Sequence, residues 1–552
     1  MNRVPPAGPP RMEPALGGTR PTSPVGRLPR RDAATRRGAG VLLVFAALCA
    51  TPNAQSPRPL VDAVRRDDPA AVKSLLRNKT IVNQADPDGT TALHYAVQAN
   101  DASLVTTLIA AGANVRAKNR YGLQPLTLAA TNGSEPVISL LLKAGADANT
   151  VTDAGEPVIM TAARTGNVAA LERLIAAGAD VNARERWFGE TALMWAAAEN
   201  HAAAVRALVK AGAAIDARST VLEAPVLEFP RSGGPNSPFP RGGWTALMFA
   251  ARQGAIDAAR ALADLGANLN LVALPQTDIP LKPEEMRSAD NGTGTSALVF
   301  AIINVHYDLA AMLLEQGANP NVVDLAGMGA LYAAVDMDSL QWVQGRPAPI
   351  LTDKLDGSDL VKLLLAKGAD PNARLKTRPL KRHHDAGSTM NFGEGTTPLM
   401  RAARTGDIAV MKALLEGGAN PFLTLPDGTN ALHLAAGQGY GGVRGDGIRI
   451  VVPTQDRAAE AVQLLLDRGV DIDSFNNAGN TAMHAAITRG DPVVRLLASR
   501  HARLIKNKAG VTPLDLASGG GGGRGGRGGR GGPPREPRES TLAILREFYA
   551  TN

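Results

Sequence analysis

The chain has 552 residues and a formal charge of +8, with hydrophobic residues at 44% but aromatics at only 4%. An apolar supply of Ala and Leu with few large rings suits short helices packed closely together and speaks against a sheet protein. The single cysteine, Cys49, excludes a disulfide framework and a cysteine-ligated metal.

The charge sits at the two ends. Residues 1–54 carry eight Arg against Glu13 and Asp32, and residues 518–552 carry six Arg against three Glu, which leaves about −1 for residues 55–517. A near-neutral body is a poor trap for phosphate, so nucleic acid is not the expected partner.

In chain order, residues 1–40 are rich in Pro, Gly and Arg and have little apolar surface to bury, so disorder is expected there. Residues 41–50 then read VLLVFAALCA, preceded by Arg36 and Arg37 and followed by small residues as far as Ala54. This is the layout of a secretory signal, and it predicts export and cleavage near Ala54 to a periplasmic or secreted product. The apolar run is too short to cross a bilayer securely, so no membrane span is expected in the mature chain. Two features depart from the pattern: the basic region is long, and Pro52 stands three residues before the cut. A cytoplasmic protein that retains the segment is the alternative.

From residue 55 onward the chain repeats itself. The segment TPLMRAARTGDIAVMKALLEGGAN, 397–420, contains one unit. Thr397 is an N-cap, Pro398 has no N–H to lose at the first helical position, and Leu399, Ala402 and Ala403 form a short apolar face. After the turn at Thr405, Gly406 and Asp407, the residues Ile408, Met411, Leu414 and Leu415 recur at helical spacing. Gly418 then supplies a left-handed cap.

The Leu399 position is matched by Leu60, Leu93, Leu126, Ile159, Leu193, Leu247, Leu298, Leu331, Leu432, Met483 and Leu514, giving twelve units. Uninterrupted units have a period of 33 or 34 residues, and the capping glycine follows the marker by 19 in the units ending at Gly112, Gly145, Gly178, Gly212, Gly266, Gly317 and Gly418. Neither helix of a unit can bury its own stripe, so stability requires stacking. The first unit has Lys79 where the glycine would be and acts as a cap. The last pairs a helix at 512–517 with one at 541–550, enclosing a Gly/Arg-rich loop at 518–540. Further insertions are expected at about 217–242, 270–293, 338–356, 373–395 and 438–456. The first, second and fourth extend the hairpin between units; the other two, like the last loop, lengthen the turn inside a unit.

No nucleophile elbow, phosphate loop, zinc-peptidase helix or carboxylate pair is visible, and no stretch outside the repeats is long enough for a catalytic domain. The expectation is therefore a non-enzyme without cofactor. The cluster His383, His384 and Asp385 in one insertion leaves open a metal-dependent or enzymatic role, although neighbouring side chains diverge and no third ligand stands at a familiar spacing. Arg524, Arg527 and Arg530 leave open RNA binding by the Gly/Arg loop, although three arginines without interleaved aromatics give little affinity and a linker has the same composition.

Period, cap glycines, and the starts TALHYA, TALMWA and ALHLAA together resemble the ankyrin repeat family over residues 58–552. Units from Gly294 to Gly510 also resemble a group of uncharacterised exported bacterial ankyrin repeat proteins. The resemblance implies an all-α solenoid with hairpin fingers, and a protein partner held at the fingertips and at the exposed end of each first helix. Carried over residue by residue, those positions are Arg120, Tyr121, Trp187, Phe188 and Trp244 on fingers, and Arg164, Glu199, Arg252, Gln253 and Arg404 on helices. For Trp244, packing beneath a finger extension is an equal alternative. The resemblance also implies that His94, His433 and His484 tie adjacent units, and that Tyr95, Trp195, Phe249 and Phe300 are packing residues. Both ends being capped, a monomer is expected.

Overall fold

The computed structural model describes residues 58–221, 242–273, 294–338, 352–376, 393–438, 454–519 and 537–549. These form twelve helix pairs, one per marker, with no extended strands among the described residues. Repeats 1 to 4 are α1 (Pro59–Arg65) with α2 (Pro69–Leu75), α3 (Ala92–Gln98) with α4 (Ala102–Ala110), α5 (Pro125–Thr131) with α6 (Glu135–Lys143), and α7 (Val158–Thr165) with α8 (Val168–Ala176). Repeats 5 to 8 are α9 (Ala192–Ala198) with α10 (Ala202–Lys210), α11 (Ala246–Gln253) with α12 (Ile256–Asp264), α13 (Ala297–Ile303) with α14 (Tyr307–Glu315), and α15 (Ala330–Asp338) with α16 (Gly357–Ala366). Repeats 9 to 12 are α17 (Pro398–Thr405) with α18 (Ile408–Glu416), α19 (Ala431–Ala435) with α20 (Gln455–Asp467), α21 (Ala482–Arg489) with α22 (Asp491–Ser499), and α23 (Pro513–Ala517) with α24 (Glu539–Tyr549).

Many of the helices begin at a side chain that caps them. The Thr397 hydroxyl accepts from the Met400 N–H at 3.3 Å, and Asp407 does the same for Val410 at 3.2 Å. Such caps satisfy donors that a helix of two turns cannot satisfy internally. The glycines that end the second helices are left-handed, from φ 83° at Gly368 to 96° at Gly112, a region that costs a residue with a side chain. Odd-numbered helices pack on their odd neighbours, and from α4 onward even helices pack on even ones, giving two layers with the core between them. The marker residues from Leu60 to Met483 are all buried. Leu514 is 39% exposed, because no described helix lies beyond it.

A second set of ties runs along the edge where each repeat hands over to the next. The amide of Asn149 donates to the Gly178 carbonyl at 3.0 Å, and its oxygen accepts from the Asp180 N–H at 2.8 Å. Asn83, Asn182, Asn321 and Asn372 make the same pair of bonds to their following repeats. Each asparagine thus satisfies a carbonyl that the capping turn leaves open.

Fingers between repeats are hairpins closed by single bridges, such as Val151 with Pro157 and Arg184 with Thr191. The central parts of the six expected insertions lie outside the described residues. The necks of four are closed by backbone bonds: Ser219 N–H donates to Trp244 O at 2.9 Å, Ala273 to Thr295 O at 3.0 Å, Leu375 to Thr396 O at 3.0 Å, and Arg538 to Ala517 O at 2.9 Å. In the last repeat α24 returns onto α22, where the Thr541 hydroxyl donates to Asp491 at 2.6 Å and the Tyr549 hydroxyl to the Ala502 carbonyl.

Candidate binding face

At a finger tip one side chain usually organises the turn. Asn119 accepts from the N–H groups of Tyr121 and Leu123, both at 3.0 Å, and Asn476 and Asn507 treat their second and fourth following residues alike. The finger between repeats 4 and 5 has one residue more. Glu185, with an additional methylene, spans the longer turn: its buried carboxylate accepts from Trp187 N–H at 2.6 Å, from Glu190 N–H at 3.1 Å and from Phe188 N–H. Sequence reasoning missed this residue, and the signal was the marker interval of 34 instead of 33 between Ile159 and Leu193.

The consequence is a pair of rings held outward. Trp187 is 61% and Phe188 51% exposed. Trp187 is fixed on both sides: its indole N–H donates to Ala154 O at 3.0 Å, and the Arg186 guanidinium lies 5.4 Å from the ring centroid. The Phe188 carbonyl accepts from the Thr220 N–H of the next finger. Two repeats earlier Tyr121 is similarly exposed beneath Arg120, whose guanidinium stands 4.8 Å from the ring centroid and donates to the phenol oxygen at 2.6 Å.

Behind the tips, the first helices present a second rank. Arg164 lies over Trp195 at 4.8 Å and Arg252 over Trp244 at 5.2 Å, each reaching from its own repeat to an aromatic face. Trp244 is half-buried, meeting Phe249 edge-on at 5.4 Å and Phe300 at 5.0 Å. Its packing is therefore on framework rings, while the finger extension ahead of it lies outside the described residues. Glu199, Arg252 and Gln253 are exposed and Arg164 is intermediate.

Arg404 is a correction. Read as an exposed helix end, it is buried, with only 3% of its surface exposed. Its charge acts on the phenol of Tyr332, while on the same helix Arg401 pairs with Asp336, so this stretch of α15 and α17 turns its polar groups inward. Of the framework aromatics, Phe300 is fully buried, whereas Tyr95, Trp195 and Phe249 are only half covered and contribute to the face. Tyr95 donates to Asp86 at 2.7 Å and lies under Arg65 at 5.5 Å.

The histidines behave as expected. Nδ1 of His94 accepts from Thr91 N–H at 3.2 Å, which leaves Nε2–H to donate to Leu123 O of the next repeat at 3.1 Å. His433 reaches Ser474 O and Asn480 O, and His484 reaches Val511 O, all at 3.1 Å. Burial lowers the pKa of all three.

Among the described residues no group of three His, Cys, Asp or Glu is arranged to hold a metal, and no helix is long and apolar enough to cross a membrane. The His383 cluster, the Gly/Arg loop with Arg524, Arg527 and Arg530, and the apolar run 41–50 lie outside the described residues.

Stacked helix pairs joined by hairpin fingers define a repeat solenoid whose tips and first helices share one face. Family comparison gives it its place. Models of three successive ankyrin repeats match residues 60–152, 141–220, 159–273, 354–444 and 450–522, and a single-repeat model matches 293–325. The chain belongs to the ankyrin repeat family. It is also 28% identical over 202 residues to Palmitoyltransferase AKR1 of Lachancea kluyveri, a match covering 36% of this chain and 23% of that protein. The matched part is thus under a quarter of that relative's length.

Proposed function

We propose that this chain is a non-catalytic scaffold that captures a protein partner on the face formed by the first six repeats. The observation that carries the reading is the Trp187–Phe188 tip: large rings held in water by a buried carboxylate and two neighbouring fingers. Rings and guanidiniums fixed before binding offer contact area at low ordering cost, which is what a binding hot spot needs. Export belongs to the same proposal, with the run 41–50 as the signal and a monomeric product beginning near Gln55. The acyl transfer in the relative's name belongs to a protein of which this chain matches less than a quarter, and is not carried over.

The test is affinity capture from the cell envelope with the chain starting at Gln55, beside a Trp187→Ala, Phe188→Ala variant shown by circular dichroism to be folded. A protein retained by the first and lost from the second is the expected result. Equal capture by both removes the tip from the reading. Intact mass of the envelope-fraction protein checks cleavage, and its retention uncut in the cytosol would refute export; light scattering checks the monomer.

A further inference from the structure

All five close guanidinium–ring pairs among the described residues fall between Arg65 and Arg252, in the first six repeats: Arg65 on Tyr95, Arg120 on Tyr121, Arg164 on Trp195, Arg186 on Trp187 and Arg252 on Trp244. At a frequency of roughly one per 70–80 residues, fewer than three would be expected in that length. A guanidinium lying over a ring keeps its N–H edge in the open, because the ring occupies the face and leaves the rim.

Those edges are little used within the chain. Arg65 and Arg164 come no nearer than 3.9 and 3.8 Å to Asp86 and Glu156, beyond hydrogen-bond range. Arg120 spends one N–H on Tyr121, and Arg186 and Arg252 form no ion pair among the described residues. The acids of the same face are mostly engaged. Asp86 takes Tyr95 and Arg58, Glu156 takes the Thr161 hydroxyl at 2.7 Å, Asp153 meets Lys118 at 3.5 Å, and Glu185 is filled by the tip N–H groups. Glu190 is half-buried, and burial raises its pKa. Asp88 accepts from Thr90 N–H at 3.0 Å and acts on the Arg120 charge, so that among the described residues of this face Glu199 is left as the exposed acid without such a partner.

We infer that this face is a receptor for an extended acidic polypeptide segment, whose carboxylates meet the ring-backed arginine edges while its apolar side chains lie on Trp187, Phe188 and Trp195. The inference rests on the scaffold reading and specifies its partner. Planar, oriented N–H pairs match a carboxylate in two bonds, and stacking holds the plane ready. Stacked repeats advance roughly 10 Å, and a chain extended as polyproline II rises about 3.1 Å per residue with three residues per turn, so one acid in every three residues keeps step with the array on one side. A nucleic acid fits less well, because the repeat body as a whole has no excess of positive charge.

The probe is a fluorescein-labelled peptide of five Glu-Gly-Leu triplets, measured by anisotropy with the chain from Gln55 at about 20 mM salt, where screening is weak. Its controls are five Lys-Gly-Leu triplets and a single-stranded dT oligomer of fifteen nucleotides. The Glu peptide should bind and the Lys peptide should not. The Arg164→Lys, Arg186→Lys, Arg252→Lys variant retains charge but loses the flat fork, and should weaken binding about tenfold. Arg173→Lys, on α8 and paired with Glu135 at 2.9 Å, should change nothing. Thermal melts confirm that all variants fold. No binding of the Glu peptide, equal binding of the Lys peptide, undiminished binding by the triple variant, or tighter binding of the oligomer would each overturn the inference. A partner captured through Trp187 and Phe188 but indifferent to the Arg variants would remove the acidic chemistry and leave the scaffold. Peptide binding as described without any captured protein would do the reverse.

Discussion

Replacing Glu185 by Ala removes the acceptor for three backbone N–H groups at once. Those groups, on Trp187, Phe188 and Glu190, are the turn itself, and Glu185 is only 8% exposed. A hydrogen bond to a charged acceptor contributes about 1.5–3 kcal/mol when desolvated, but water replaces part of that at a surface finger, so the local loss should be about 2–3 kcal/mol. At 1.4 kcal/mol per tenfold, that is an increase of roughly 30- to 140-fold in amide exchange at residues 187–190. Glu185→Asp, one methylene too short for the fifth residue, should lie between Ala and the native chain. Hydrogen exchange read by mass spectrometry on peptides covering 180–192, beside peptides from α9, is the assay. Capture of the partner should fall with tip protection while the melting temperature changes little, because the helices are untouched. Unchanged exchange at the tip in Glu185→Ala would refute the claim that this carboxylate shapes it.

Leu399→Ala, at a site 1% exposed in the middle of the array, should cost about 2–5 kcal/mol by transfer and cavity together, seen in denaturant midpoints and as faster exchange in repeats 8 to 10. Arg401→Leu removes the ion-pair partner of Asp336, which retains some contact with water, so a loss of about 2–3 kcal/mol is expected; Asp336→Leu combined with Arg401→Met should recover most of it in the same melts. The three buried histidines have folded pKa values below their ordinary 6.5, so the folded state resists their protonation and stability should fall as pH drops below about 6.5. His433→Gln should flatten that part of the pH profile. Asp338 acts over the same span with opposite sign: burial and a hydrogen bond with Asp407 push its pKa up to about 7, so its contribution is full in acid and is lost as pH rises from about 4 through 7. Asp338→Asn should therefore stabilise the chain more at pH 8 than at pH 5, measured by urea unfolding.

Much of the fold was legible because a repeat states its rules twelve times. Marker leucines, cap glycines and Thr-Pro starts are set by bonds inside one unit, and the histidine ties use a spacing that recurs within each interval. What a single unit could not reveal is the occupant of the neighbouring column. Arg404 stands at a position that is exposed in repeat 6 as Arg252, yet it is buried with its charge acting on Tyr332 of the adjoining helix. Trp195 was read as packing, and it is half covered because Arg164 of the preceding repeat lies on it. Glu185 was hidden by a rule about residue type: tips favour Asn, Asp and Thr, and a single added residue makes the longer acid the one that fits.

The asparagine rungs have a mechanical meaning. Each joins a repeat only to the next, so tension applied to the two ends would be resisted rung by rung and not by the body as a whole. Stretched between a bead and a surface, the molecule should yield in a sawtooth. A plain unit with its 33 residues would pay out about 11 nm of contour. The 54 residues from Leu193 to Leu247 would pay out about 18 nm. The insertions would thus be written into the force trace as long teeth among short ones, a ruler by which the order of yielding could be read along the chain.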